Sequence, residues 1–366
     1  GAKEVFEYHS RNTNARIDPD GEAGLRHELS CTGCGCCPLG CRYDRKQTPL
    51  ITFMPAAIEN GLNGVGGNEV KVFKKAEVTK VLHEDGKVSG VLVSTRGGSL
   101  KIKARTVIVS CGAINSARLL MKSKVENPHL GKHLSLHPSP LVFALFEDEK
   151  IYSDWGVPMA ASYTEYQFPK PGGVFPDGFG YILETIYSHP ATTALTLPLK
   201  TMKERMKDYE KMASVAIILH DKPVGEIKNP DSLLTCLSYE MDEGDKAKLR
   251  HAVRTAAEIY LKAGAKEVFT SHESEIIFRS EEDLKKADDC GFEPGEILLA
   301  SAHPQGGCRI SSSRDKGVVD HNGRSHDIEG LFVSDASLYP TSLGVNPQLT
   351  TMAMGTKIGE HVAGLA

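Results

Sequence analysis

The sequence has 366 residues, 40% hydrophobic and 25% charged, so it can bury a large core, and we expect two domains. A formal net charge of −4, without any basic run, argues against a nucleic-acid-binding protein. No apolar stretch approaches the ~20 residues of a membrane-spanning helix. The first residues lack the basic and apolar regions of a secretory signal, which favours a cytoplasmic location.

A cysteine-rich run follows the polar residues 1–30. The spacing C-x2-C-x2-C-x3-C, typical of ferredoxin iron–sulfur ligands, is formed by Cys31, Cys34, Cys37 and Cys41. Its short gaps let successive thiolates point at one centre, so the spacing predicts an iron–sulfur cluster. Arg42 stands where ferredoxins usually have Pro, and Cys36 is an additional cysteine inside the run. A metal-free Gly/Cys-rich turn and a disulfide remain alternatives.

The next part of the chain reads as one helix followed by strands. We expect a helix at 50–60 and strands at 70–73, 78–83, 88–95, 100–103 and 106–110. The Glu-Asp-Gly-Lys sequence at 84–87 is a hairpin signal. The strand at 106–110 is continuously apolar, as buried parallel strands are, and a helix is expected from Ser116. Between them, Gly112 to Asn115 form a turn of small residues that a ligand can approach closely, although tight strand–helix packing would also explain the glycine.

The middle of the chain, residues 125–299, changes to an α+β pattern with Pro-rich turns. Apolar strands are expected at 141–146 and 213–219, and helices at 198–212 and 245–263, the second with Asp245 as its N-cap. Glu184 lies in an apolar strand, where a carboxylate is either functional or part of a structural ion pair. We interpret His133, His137 and His189 as structural.

The last quarter of the chain contains a strand, a turn and an abruptly starting helix. The strand at 331–334 ends on Asp335, and Asn346-Pro347 is a strong helix start. The first turn of such a helix offers unpaired N–H groups and the positive end of the helix dipole to developing negative charge. His303 lies in a Gly-rich loop upstream, and the fold could bring it beside Asn346.

Four motifs of this region, HPQGGC, GVVD, LFVSDAS and YPTSLGVNPQLTTMAM, resemble the C-terminal signature of the glucose–methanol–choline (GMC) flavin oxidoreductases. The HP-x-GGC and GVNP forms look most like the cholesterol oxidase and long-chain alcohol oxidase branches. VIVSCGAINSARLLMKS resembles the second family signature, with Ala117 and Lys124 as departures from it. ILETIYSHPATTALTLP resembles a substrate-domain segment of long-chain alcohol oxidases.

The resemblance implies a fold of class α/β + α+β. A partial Rossmann-type FAD-binding domain would be formed by 1–124 and 300–366, and a substrate domain on a mostly antiparallel sheet by 125–299. The implied reaction oxidises an alcohol by hydride transfer to FAD, with His303 as the base and Asn346 bonded to the substrate oxygen. The implied FAD contacts are Val78, Gly112, Ala113, Asn115, Asp335, Ala336, Asn346, Pro347 and Gln348.

The G-x-G-x-x-G turn that holds the pyrophosphate in Rossmann-type domains is absent from the sequence. Its nearest counterpart, GLNGVGGN at 61–68, follows a helix-like segment and reads as a loop. We therefore expect a second chain or a cleaved segment to carry this half of the FAD site, and a further protein to accept the electrons. Two other functions stay open: an iron–sulfur electron-transfer subunit, and a non-catalytic partner that keeps the GMC scaffold.

Overall fold

The computed structural model of the chain describes residues 33–41, 43, 45–46, 48–50, 52–62, 70–156, 159–186, 189–232, 234 and 236–365. Its helices are α1 (Phe53–Leu62), α2 (Ala113–Lys122), α3 (Pro190–Thr196), α4 (Met202–Arg205), α5 (Glu243–Lys262) and α6 (Gln348–Ala363). Its strands are β1 (Glu77–Glu84), β2 (Lys87–Thr95), β3 (Gly98–Lys103), β4 (Val107–Val109), β5 (Lys132–Leu134), β6 (Leu141–Leu145), β7 (Ser162–Tyr163), β8 (Tyr181–Thr185), β9 (Met212–Leu219), β10 (Gly225–Ile227), β11 (Leu237–Ser238), β12 (Glu267–Thr270), β13 (Ile277–Phe278) and β14 (Leu331–Val333).

Strands β1, β2 and β3 form an antiparallel meander, as the alternating sequence predicted. The first hairpin turns through Asp85 and Gly86, whose φ angles of 49° and 73° are both positive, as a tight two-residue hairpin turn requires. The strand expected at 70–73 does not form, so that prediction was wrong. The segment leads into the meander outside any strand, and its side chains at Val72 and Phe73 are exposed.

Strands β4 and β14 form a two-stranded parallel sheet, with Val107 opposite Leu331 and Val109 opposite Val333. This sheet joins two segments more than 200 residues apart and explains the continuous apolar character of both. Helix α2 begins at Ala113 and not at Ser116 as expected, because the Ser116 N–H already donates to the Gly112 carbonyl, at 2.9 Å. Buried hydrophobic residues from segments 81–134 and 308–358, together with Ile227, form a core around the sheet.

A six-stranded antiparallel sheet in the order β13-β12-β6-β9-β8-β7 forms the second body of the fold. Helix α5 packs its apolar face, which includes Leu249 and Val253, against this sheet. Asp242 caps the helix by accepting a hydrogen bond from the Asp245 N–H at 2.8 Å, so the cap lies three residues earlier than predicted. The helix expected at 198–212 is reduced to α4 and a following 3-10 segment, Met206–Lys211, which has non-helical dihedral angles at Asp208.

The two bodies meet at the carboxyl end of β9, where the chain crosses at residues 220–225 from the large sheet to β10 and β5. Segment 135–139 lies beside this crossing and pairs with the downstream loop through the bridges Ser135–Gln305 and Ser139–Ala300. This junction holds the loop that carries His303 beside segment 135–139. Within the described residues, no helix is long and apolar enough to cross a bilayer.

Candidate active site

The loop that carries His303 packs closely against segment 133–139 at the first glycine of the HPQGGC motif, Gly306. Gly306 has a φ of 82°, and a Cβ on it would lie 2.0 Å from the carbonyl oxygen of His133. Only glycine fits there. Any other residue would be strained at this φ angle, and its Cβ would clash with the backbone of His133. The motif therefore fixes the position of the loop two to three residues after His303.

His303 contacts a second histidine that the sequence analysis treated as structural. The Nδ1 atoms of His303 and His137 lie 3.2 Å apart, and the two rings meet edge to face at 87°. His137 is fully buried. Burial lowers the pKa of His137 to about 3, with smaller contributions from His303 and His220, and burial also lowers the pKa of His303. Both rings are therefore neutral near pH 7.

The other edge of His137 faces two groups from different loops. The Gly344 N–H donates to Nε2 of His137 at 3.1 Å, and Nε2 of Gln305 lies 2.9 Å from the same ring nitrogen. The Leu343 N–H donates to Oε1 of Gln305 at 3.2 Å. His137 thus connects the His303 loop with the turn that precedes Asn346.

Asp221 holds the backbone of His137 in place. Its carboxylate accepts hydrogen bonds from the N–H groups of Leu136, at 2.9 Å, and His137, at 3.1 Å. The Tyr239 hydroxyl donates to the same carboxylate at 2.7 Å. These bonds support a left-handed backbone at His137, whose φ is 50°. Asp221 lies two residues after the end of β9, so the polar residues that follow this apolar strand were the sequence signal that could have found it.

Asn346 lies at the start of α6, but its side chain does not cap the helix. Its Nδ2 donates to Oε2 of Glu184, on β8, at 3.2 Å, and Pro347 occupies the cap position. The first turn of α6, from Gln348, retains N–H groups without intrahelical acceptors, as every α-helix does. Glu184 and Asn346 therefore form a polar pair between the large sheet and the N-terminus of α6.

His220 is a further residue of this region that the sequence analysis did not single out. Its ring stacks on Phe179 with centroids 4.3 Å apart, and burial lowers its pKa to about 4. Its Nδ1 lies 2.5 Å from the place where a Cβ of Gly344 would stand, and φ of Gly344 is 64°. Only glycine therefore fits between His220 and the turn that leads to Asn346.

A second cluster of predicted residues lies at the carboxyl ends of β4 and β14. Asp335 accepts hydrogen bonds from the N–H groups of Gly112, at 2.9 Å, and Ser337, at 2.8 Å, and from the Ser116 hydroxyl. Asp335 thereby joins the two turns and brings Gly112 and Ala113 close to Ala336. Carboxyl ends of parallel strands are where open α/β sheets bind ligands.

The remaining predicted cofactor contacts lie outside that cluster. Val78 is on β1 and is 37% exposed. Asn115 lies on α2 and accepts a hydrogen bond from Arg118 at 3.0 Å. Pro347 and Gln348 stand at the beginning of α6, next to Asn346.

The residues that the family resemblance implies for FAD binding are suited to hold two parts of that cofactor, its middle and its flavin ring. A Cβ on Gly112 would meet no atom within 4 Å, so there is open space beside this turn. The N-terminus of α6 supplies the positive dipole end that a negatively charged ring requires. The sequence contains no G-x-G-x-x-G turn for the pyrophosphate, so the fit concerns the flavin end and the middle of the cofactor.

Of the four cysteines predicted to hold a cluster, Cys31 lies outside the described residues. Cys37 begins a short 3-10 turn, and Sγ of Cys41 accepts a hydrogen bond from the Arg45 N–H at 3.1 Å. The backbone of Cys34 pairs with that of Gly156 in an isolated parallel β-bridge. In the part of the chain that is described, no three His, Cys, Asp or Glu side chains are grouped to hold a metal ion. The iron–sulfur cluster stays a prediction.

Proteins with similar sequences include long-chain-alcohol oxidases and GMC-type oxidoreductases. The long-chain-alcohol oxidase FAO4A of Arabidopsis thaliana is 28% identical over 360 residues, which covers 90% of this chain and 46% of that protein. An uncharacterized GMC-type oxidoreductase of Mycobacterium tuberculosis strain H37Rv is 27% identical over 344 residues, covering 92% of this chain and 51% of that protein. The chain spans about half the length of these relatives.

Solved structures share the fold at low sequence identity. A formate oxidase of Aspergillus oryzae RIB40 superposes with a TM-score of 0.56 at 20% identity, over 78% of this chain and 59% of that one. A pyridoxine 4-oxidase from Mesorbium loti gives a TM-score of 0.54 at 17% identity, over 78% of this chain and 57% of that one.

Two family models, both described as GMC oxidoreductase, match the chain at residues 3–139 and 226–355. The first match ends just after His137, and the second includes His303 and Asn346. The models therefore cover both loops that meet at the candidate site. The family models, the similar sequences and the shared fold agree. The chain belongs to the GMC oxidoreductase family.

Proposed function

We propose that the chain forms the substrate-binding and catalytic part of an FAD-dependent enzyme that oxidises an alcohol. The observation that carries the proposal is the linkage of His303, through His137, to the turn at Gly344 that leads into Asn346 and α6. This linkage supports the proposal because it connects the His303 side chain with the turn that leads to Asn346. Hydrogen-bonded support of this kind is what catalytic groups require.

FAD bound to this site would accept a hydride from the carbinol carbon. The N-terminus of α6 would face the flavin ring and offset its negative charge after reduction. The Gly112 turn, tied to Asp335 at 2.9 Å, would hold the middle of the cofactor. His303 and Asn346 would contact the substrate oxygen.

Two side chains are candidates for the group that takes the hydroxyl proton. His303 is the candidate implied by the family resemblance. Glu184 is the candidate that the geometry favours, since Asn346 donates to its carboxylate at 3.2 Å and so connects it with the substrate oxygen.

An apolar, long-chain alcohol is the substrate class that we propose. Support comes from three long-chain-alcohol oxidases of Arabidopsis thaliana, which are 28–29% identical to this chain. A series of primary alcohols of increasing chain length, with a sterol as comparison, tests this proposal through kcat/KM. A maximum at short chains would contradict it.

We also propose that the electrons pass onward to an acceptor protein, with a cluster on Cys31, Cys34, Cys37 and Cys41 as the intermediate carrier. The ferredoxin-type spacing supports this proposal. Iron and acid-labile sulfide in anaerobically prepared protein, both lost in Cys34→Ser and both retained in Cys36→Ser, would support the cluster. Protein that contains no iron under these conditions would contradict it.

Substitution of the catalytic pair tests the proposed reaction. In flavin-loaded protein, we expect His303→Ala to retain FAD but to lower turnover by roughly 10²–10⁴-fold, the usual contribution of a general acid–base group. Glu184→Gln measures the contribution of the second candidate in the same assay. Glu329→Gln is the matched control, because Glu329 is an exposed residue paired with Lys87. Turnover of His303→Ala equal to that of the unmodified protein would remove His303 from the reaction.

A further inference from the structure

We propose that His137 is a positioning residue that holds neutral His303 in its Nε2–H tautomer, so that His303 meets the substrate oxygen as a hydrogen-bond donor. The inference rests on the proposed function in one respect, namely that His303 lies at the substrate oxygen. It assigns a role to a buried side chain that neither the motifs nor the family resemblance singled out.

The argument starts from two backbone N–H groups, whose role as donors is fixed. The Leu343 N–H points at Oε1 of Gln305, at 3.2 Å, and the Gly344 N–H points at Nε2 of His137, at 3.1 Å. The first bond orients the Gln305 amide, so its NH2 group faces His137. Nε2 of His137 therefore meets two donors and must be the acceptor.

The position of the proton on His137 determines the position of the proton on His303. A neutral imidazole carries one proton, so His137 with an accepting Nε2 has its proton on Nδ1. That Nδ1–H points at Nδ1 of His303, 3.2 Å away. Nδ1 of His303 must then accept, and the proton of neutral His303 lies on Nε2. Within the described part of the chain, Nε2 of His303 has no hydrogen-bond partner, so it is the nitrogen left for a substrate.

A second proton on His303 is disfavoured by the same contact. It would have to bind at Nδ1, where it would face the Nδ1–H of His137 across 3.2 Å. Two N–H groups pointing at each other repel, and burial already lowers the pKa of both rings. The carboxylate of Asp221 is bonded to the backbone N–H groups of Leu136 and His137 and to the Tyr239 hydroxyl, and none of these bonds reaches either imidazole ring.

It follows that another group takes the hydroxyl proton. When the alcohol is oxidised, its C–H bond breaks with the hydride going to the oxidised flavin, and its O–H bond breaks with the proton going to a base. Glu184, bonded to Asn346, is the carboxylate placed to receive that proton. His303 Nε2–H and Asn346 would then stabilise the negative charge that develops on the oxygen.

Nitrogen NMR of the histidine rings tests the inference directly and without turnover. The flavin-loaded protein, labelled with ¹⁵N-histidine, reports for each ring which nitrogen carries the proton, and His303→Gln and His137→Gln identify the two signals among the 14 histidines. We expect the proton on Nδ1 of His137 and on Nε2 of His303. A proton on Nδ1 of His303, or an average of the two tautomers, would overturn the inference.

Rescue by a conservative variant supplies a second test. A glutamine at position 303 can donate a hydrogen bond but cannot act as a base near neutral pH, whereas alanine can do neither. We expect His303→Gln to exceed His303→Ala in kcat by about tenfold, the effect of one well-placed hydrogen bond. Equal rates for the two variants would contradict a donor role. Flavin-loaded wild-type protein that oxidises no alcohol would refute the proposed function alone, because the NMR result stands independently of activity.

Discussion

At the scale of single residues, the candidate site depends on histidines that are buried and neutral. Three of them, His137, His220 and His303, have their pKa lowered by burial. The sequence motif identified only His303, because the partners of His137 come from loops at 303–305 and 343–344 that are far apart in the chain. No periodic pattern signals such a contact, so the sequence alone could not reveal it.

The buried histidines predict that the protein is less stable in mild acid. The pKa of His137 is lowered to about 3 in the folded chain and is near 6.5 when unfolded, so below pH 6.5 the unfolded state takes up a proton that the folded state does not. Stability is therefore complete above pH 6.5 and decreases as the pH falls. Between pH 6.5 and 5.0 we expect a loss of roughly 2 kcal/mol from His137 alone.

Urea unfolding at several pH values measures this loss. The chosen window lies above the usual pKa range of carboxylates, so carboxylates with ordinary pKa values contribute little. Burial raises the pKa of Asp221 and Asp245, and such a shift changes stability in the opposite direction to that of the histidines. His321→Gln, at an exposed histidine, should leave the slope unchanged. A free energy of unfolding that stays constant from pH 6.5 to 5.0 would contradict the buried, neutral state of these rings.

At the scale of elements, the sequence predicted what local patterns determine. The meander, the parallel strand β4 and the strands β6 and β9 agree with their alternation or apolar runs. The wrong prediction at 70–73 had only a short apolar run as support, and the segment 198–212, where the helix is shorter than expected, is rich in charged residues. The cap of α5 was misplaced by three residues because both Asp242 and Asp245 are suitable N-cap residues. The contact of β4 with β14 follows from their shared burial, which no local pattern encodes.

The loop of His303 owes its position to a glycine, which gives a prediction for this element. In Gly306→Ala, the new Cβ would lie 2.0 Å from the His133 carbonyl oxygen at a φ of 82°. We expect a loss of stability of about 1–3 kcal/mol from this strain, together with a displaced His303 and reduced turnover. Chemical denaturation and kcat measure the two effects.

Gly359→Ala is the matched control for this substitution. Gly359 lies on the exposed side of α6, and a Cβ there would meet no atom within 4 Å. Alanine favours a helix over glycine by roughly 0.5–1 kcal/mol, so this variant should be more stable than the unmodified protein. If both variants changed stability in the same direction, the close packing of the His303 loop would be in doubt.

At the scale of the whole molecule, the body around the parallel sheet of β4 and β14 exposes apolar side chains that a further polypeptide segment would cover. Its parallel sheet has two strands, and on β4 the side chain of Ile108 is 44% exposed. Val72 and Phe73, before the meander, are 49% and 69% exposed. We propose that a further polypeptide segment bearing the G-x-G-x-x-G turn packs here and completes the FAD site.

This proposal predicts that cofactor binding depends on the additional segment. Expressed as these 366 residues alone, the protein should be free of flavin, because the pyrophosphate charge lacks its helix N-terminus. Co-expression with the complementary segment should give yellow protein with FAD in stoichiometric amount. Stoichiometric FAD in a preparation that intact mass shows to contain only these residues would refute the need for a partner.

The most direct measurement of the central claim is anaerobic reduction of the flavin by an alcohol. The completed, FAD-loaded protein is mixed with a long-chain primary alcohol in the absence of oxygen, and the oxidised flavin absorption band is followed. We predict that the band disappears with the unmodified protein and disappears roughly 10²–10⁴-fold more slowly with His303→Ala. An absorption band that dithionite removes but no alcohol alters would contradict the claim that this chain takes part in alcohol oxidation.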